Sequence, residues 1–189
     1  MDNKNIIYLV VVLIQAAVVL YLVNRRFAKK KPVTVAPATD TDSIAALRDI
    51  ALNVTPAQLK LLIPDTQLLV YGVVMDCNLG NGVVTLAAYI TGAANIYFSD
   101  GSRKTGGGKH PEVGEAAVEF VTTAQHYINR AIHAPAQLPP HNCVRFQLLT
   151  NQGSYAAQEQ LSHITDGTSP WIPLFEKGNE VMALMSRKS

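Results

Sequence analysis

The chain has 189 residues, 48% hydrophobic and 16% charged, enough beyond one apolar N-terminal stretch for a single domain of roughly 150 residues with its own core. Such a domain folds without a disulfide, so the two cysteines, Cys77 and Cys143, are expected reduced and packed. The formal charge of +2 is uneven: Lys4, Arg25, Arg26, Lys29, Lys30 and Lys31 leave ten Lys/Arg against thirteen Asp/Glu from residue 32 onward, and a net-acidic domain argues against a nucleic-acid partner.

After a short tail over 1–4, residues 5–24 (NIIYLVVVLIQAAVVLYLVN) carry no charge. At about 1.5 Å per helical residue they match the roughly 30 Å hydrocarbon core of a bilayer, and Tyr8 and Tyr21 fall near its two interfaces. The run ends in Arg25, Arg26, Lys29, Lys30 and Lys31 rather than in a small-residue cleavage site, so it reads as a transmembrane anchor and not a removable signal. The same five charges outweigh Lys4 and Asp2 on the other side and predict, by the positive-inside bias, that everything beyond residue 25 is cytoplasmic. Gln15, near the middle of the span, is either a tolerated amide or a point of self-association between anchors.

Residues 25–42 form a basic juxtamembrane segment and Pro/Ala/Thr-rich linker, and the soluble domain is expected over 43–189. Asp42 or Thr41 is a candidate cap for a helix over 43–53, and Thr55-Pro56-Ala57-Gln58 resembles a capping box opening a short helix that Pro64 ends. Strands are predicted over 68–75, 83–90 and 94–99, the first two joined as a hairpin through Asn78–Gly82. After the loop over 101–110, the apolar residues Val113, Ala117, Phe120, Val121, Ala124, Ile128 and Ile132 recur at helical spacing from Pro111 to His133, leaving Glu115, Glu119, Gln125, His126, Asn129 and Arg130 on the polar side. A second hairpin follows over 143–150 and 154–160, then a final helix from about Ser169-Pro170, weakened by Gly178.

The order α-α-β-β-β-α-β-β-α calls for an α+β fold, a five-stranded antiparallel sheet covered by helices. That order is similar to the profilin-like, longin and roadblock group of small domains. The resemblance is one of topology over about residues 43–186; it implies an interaction platform or sensor at a membrane and carries over no site residues.

The most unusual segment is the glycine-rich loop 105–112. Gly106, Gly107 and Gly108 can turn backbone N–H groups toward an anion, with Lys109 and His110 beside them, although the P-loop spacing is missing and the glycines equally suit a tight packed turn. No catalytic motif and no metal or cofactor set is recognisable: Asp76-Cys77 sits at a strand end, His141 and Cys143 form a bare HxC pair, and His126 and His133 lie seven apart on one predicted helix face. The expectation is a non-enzymatic interaction or scaffold module, partnered by the bilayer and a protein or a second copy. The alternatives are a sensor of a small anion at 105–112 or a hydrolase using Asp76, Cys77 or His110.

Overall fold

The computed structural model describes residues 43–187. The predicted anchor 5–24 with Gln15, and the cluster Arg25, Arg26, Lys29, Lys30 and Lys31, lie outside the described residues. Among the described residues no helix is long and apolar enough to cross a membrane.

The fold is α+β. In chain order it comprises α1 (Ile44–Leu52), β1 (Val70–Asn78), β2 (Val83–Tyr89), β3 (Ala94–Phe98), β4 (Arg103–Lys104), α2 (Pro111–Gln125), β5 (Ile132–His133), β6 (Cys143–Thr150), β7 (Gly153–Gln160), α3 (Leu161–Thr165) and α4 (Ile172–Arg187). The strands form one antiparallel sheet in the order β4-β3-β2-β1-β6-β7-β5. The sheet therefore has seven strands and not five. The five predicted strands are all present; β4 and β5 add two residues at each edge, too short to show any alternation in sequence.

Both faces of the sheet are covered, which is why β1 and β6 are buried almost end to end. On the first face Val73, Met75, Leu86, Ile96, Phe146 and Leu148 pack beneath α2 and α4. The two helices lock together through Gly178, where an added Cβ would stand 2.6 Å from the Met75 methyl and 3.3 Å from the Phe120 ring. The glycine that costs α4 helical propensity is thus the one that lets it sit down.

On the second face Tyr71, Val74, Ala87, Tyr89, Tyr97 and Leu149 pack beneath α1 and the segment 54–63. The Tyr89 hydroxyl donates to the Ala51 carbonyl and that of Tyr71 to the Val54 carbonyl, both at 2.8 Å, so the sheet itself satisfies carbonyls at the end of α1. A register shift between Val70 and Gly72 makes Tyr71 a bulge residue, and so both Tyr71 and Gly72 meet this face.

Four local expectations need correction. The cap of α1 is Ser43, whose side chain accepts from the Ala46 N–H at 3.1 Å. Thr55 and Gln58 do form a reciprocal box, but Lys60 at φ 58° breaks the run and leaves a turn instead of a helix. The helix from Pro111 stops at Gln125, because that side chain is drawn to the start of β1, accepting from Val70 N–H and donating to the Leu68 carbonyl. Ile128 still reaches the core, whereas Ile132 is 70% exposed on β5. His133 leaves the helix with it, so His126 and His133 share no helical face. The helix α3 had no sequence signal at five residues.

Candidate functional site

Two places bring polar side chains together: a cleft at the β6–β7 end of the sheet, and a polar row on the second face, buried except at its β7 end. The cleft, about 1030 Å³, lies where β6 begins, β7 ends and α3 starts. Asn142, Gln158, Gln160, Ser162 and Thr165 line it with amides and hydroxyls, which both donate and accept hydrogen bonds. His141, Cys143 and His163 also line it, yet among the described residues no hydrogen bond joins a serine or cysteine of the cleft to a histidine. His163 Nδ1 is 2.8 Å from one oxygen of Glu159, and Ser169 Oγ donates to the other at 2.9 Å. The carboxylate thus stands between serine and histidine, the reverse of what proton abstraction requires. Burial works to raise the Glu159 carboxyl, but the Gln160 N–H, Ser169, and His163 outweigh it and hold the group below its usual range. Its role is to tie β7 to the start of α4, since Ser169 also accepts from the Trp171 N–H.

The second assembly follows from strand register. Thr85, Asp76, Arg145 and Gln158 pair in sequence across β2, β1, β6 and β7, and so form one transverse row on the second face. Asp76 has no exposed surface. It accepts from Arg48 of α1 in a fork, Nη2 at 2.7 Å and Nε at 3.0 and 3.1 Å, and from the Thr85 hydroxyl at 2.6 Å. Arg145 is its cross-strand neighbour; burial lowers the guanidinium's pKa, Asp76 raises it and Arg48 lowers it again.

The residues between β5 and β6 cross this row as an unpaired strap. A backbone that crosses a sheet without joining it must find donors for its carbonyls, and here side chains supply them. Gln147 donates to Ala134, Arg145 to Pro135, Arg48 to Gln137 and Asn78 to Pro139. Pro135, Pro139 and Pro140 bring no N–H of their own that would need an acceptor.

The sequence-derived candidates fare differently. Gly106 takes a left-handed conformation at φ 77°, and Gly107–Lys109 form one turn of 3₁₀ helix before His110 and α2. A Cβ on Gly107 would stand 2.9 Å from Val113 and 3.0 Å from the Ala94 carbonyl; one on Gly108 would stand 3.0 Å from the Gly92 carbonyl. The loop is glycine-rich because it is pressed against the β2–β3 turn, while Lys109 and His110 are exposed beside it. Asp76 and Cys77 point to opposite faces of the sheet, so these two do not face one another. Burial chiefly, and then Asp76, push the Cys77 thiol far up, which makes it an inert core group. Cys143 lies diagonal to Cys77 but on the other face, and both are free. Among the described residues no three His, Cys, Asp or Glu side chains gather as a metal site.

The row was missed in sequence because Asp76 reads as the last residue of a strand. The signal was there: a charge inside each of two otherwise apolar runs, VVMDC and CVRF, is costly unless the runs pair and the charges meet. Compared with protein-family models, with curated proteins and with solved structures, the chain matches none. The expected order α-α-β-β-β-α-β-β-α, on which the resemblance to profilin-like, longin and roadblock domains rests, is itself not reproduced: 54–63 holds no helix, and β4, β5 and α3 are added.

Proposed function

We propose that this protein is a single-pass, membrane-tethered module whose cytoplasmic α+β domain binds another protein through the cleft at the β6–β7 end. The observation that carries the reading is the cleft's chemistry: amides and hydroxyls suited to hydrogen-bonding a peptide backbone, with His163 of its lining held by Glu159. The tether rests on the uncharged run 5–24 and its basic flank. The loop at Gly106–His110 gains no comparable support as an anion sensor, since packing accounts for its glycines.

The test is site-specific photo-crosslinking of the full chain in its own membrane. A crosslinker at Gln158 should yield a discrete adduct that Asn142→Gly, which removes the amide and tolerates that residue's φ of 56°, abolishes with little change in melting temperature, and one at Glu115 on the far side of α2 should yield none. An adduct twice the chain's mass would identify the partner as a second copy. Equal labelling from both positions, or none from Gln158, overturns the reading.

A further inference from the structure

The polar row beneath the strap is not balanced. Arg48 and Arg145 bring two guanidinium charges, and among the described residues Asp76 is the one carboxylate bonded there. Arg145 is 6% and Gln147 1% exposed, yet Arg145 Nε and Gln147 Oε1 have no hydrogen-bond partner among the described residues. The orientation of Gln147 is fixed, because its Nε2 already donates to the Ala134 carbonyl at 2.9 Å and the Ser154 hydroxyl at 2.6 Å. The two idle groups are therefore a cationic donor and a neutral acceptor, on one face of β6 and two residues apart.

We propose that this place, between β6 and the strap 134–140, is a binding site for a small α-hydroxycarboxylate. A carboxylate oxygen takes the hydrogen bond from Arg145 Nε and its negative charge offsets the surplus guanidinium; the ligand's hydroxyl donates to Gln147 Oε1. Charge selects this class over an amino acid zwitterion, which would supply a donor but leave the surplus positive. The two side chains spring from strand positions about 6.6 Å apart and bond adjacent strap carbonyls, those of Pro135 and Ala134. Two hydrogen bonds of about 2.8 Å joined by a carboxylate and its α-hydroxyl reach up to roughly 8 Å. Entry requires the strap to lift. Its ties are the four side-chain bonds to its carbonyls and the Ala134 N–H to the Ser154 carbonyl at 3.3 Å, and the neighbouring β5 contributes only two ladder residues. The site adjoins the cleft, with Gln158 and Pro140 at their common border, but neither Arg145 nor Gln147 lines the cleft, and the ligand is argued independently of the partner assigned there.

The experiment uses the full-length chain in detergent with glycolate as probe, and acetate and chloride at equal ionic strength as comparators. Binding to the native state alone raises apparent stability. Glycolate should raise the melting temperature saturably, acetate by less and chloride not at all, and the Arg145 Nε–H resonance in an arginine-labelled sample should move with the same saturation. Arg145→Gln should abolish the shift, and Gln147→Met should remove the advantage of glycolate over acetate. Should Arg145→Gln fail to fold, the resonance of the unaltered chain still decides. An Arg145 Nε–H that does not move, or equal stabilisation by glycolate and acetate, overturns the assignment.

Discussion

Single side chains in this protein are informative where their neighbours leave no slack. Gly178 is one: replacement by alanine would gain helical propensity of up to about 1 kcal/mol. The new Cβ, however, lands within 2.8 Å of both the sulfur and the methyl of Met75, itself fully buried, and overpacking of a closed core costs typically about 1–3 kcal/mol. Gly178→Ala should therefore lower the denaturation midpoint with an unchanged m-value; a higher midpoint would mean that Met75 has room to move. Glu176 makes the opposite case. Burial raises its carboxyl, Lys177 lowers it, and one carboxylate oxygen is buried without a partner among the described residues. A carboxyl harder to ionise in the folded chain than in the unfolded one lets the folded state hold the extra proton between the two values. Stability is thus lost as pH rises from the ordinary glutamate value through the raised one. Glu176→Gln should raise the melting temperature near neutral pH and make no difference below about pH 4. Equal gains at both would show that the charge is not the cause.

The elements test the helix phase. Phe120 has no exposed surface and lies where α2 meets Gly178 of α4. Phe120→Ala should cost about 3–5 kcal/mol. His126, exposed just beyond the end of α2, should tolerate alanine within about 0.5 kcal/mol. Similar small losses in urea titrations would put α2 on the wrong face. That face was legible in sequence because its apolar residues repeat with the helical period, and the two hairpins were legible because their strands alternate or run apolar between turn residues. The edges of the sheet were not. β4 and β5 exist only because neighbouring strands present unpaired backbone, a fact of tertiary structure that no local pattern records. Of the candidate sites, Gly106–Gly108 stood out for a reason of packing. Arg48, Asp76 and Arg145 did not stand out, because what joins them is the pairing of β1 with β6 and the docking of α1 across 28 residues of sequence.

At the scale of the molecule, the question is whether the two faces of the sheet are one cooperative unit. The first-face core holds α2 and α4, and the second holds α1, but both are built on alternate residues of the same strands: Val73 and Met75 face one way, Val74 and Asp76 the other. Loss of either cover would expose half the surface of β1 and β6, so neither layer is stable without the other and unfolding should be two-state. The chain supplies two spectroscopic probes for this. Trp171, its one tryptophan, stacks on Phe146 at 5.8 Å on the first face, whereas Tyr71, Tyr89 and Tyr97 are buried on the second. In a fragment spanning residues 40–189, tryptophan fluorescence, near-ultraviolet tyrosine dichroism and far-ultraviolet dichroism should give superimposable urea transitions. Tyr89→Phe removes the bond to the Ala51 carbonyl on the second face and should cost about 0.5–1.5 kcal/mol. Because the strands are shared, that loss should appear in full in the tryptophan signal, more than a sheet's thickness away in its contacts. A tryptophan midpoint that stayed in place while the tyrosine midpoint fell would show that α1 and the segment 54–63 open on their own, and that the second face is the part of the domain free to rearrange.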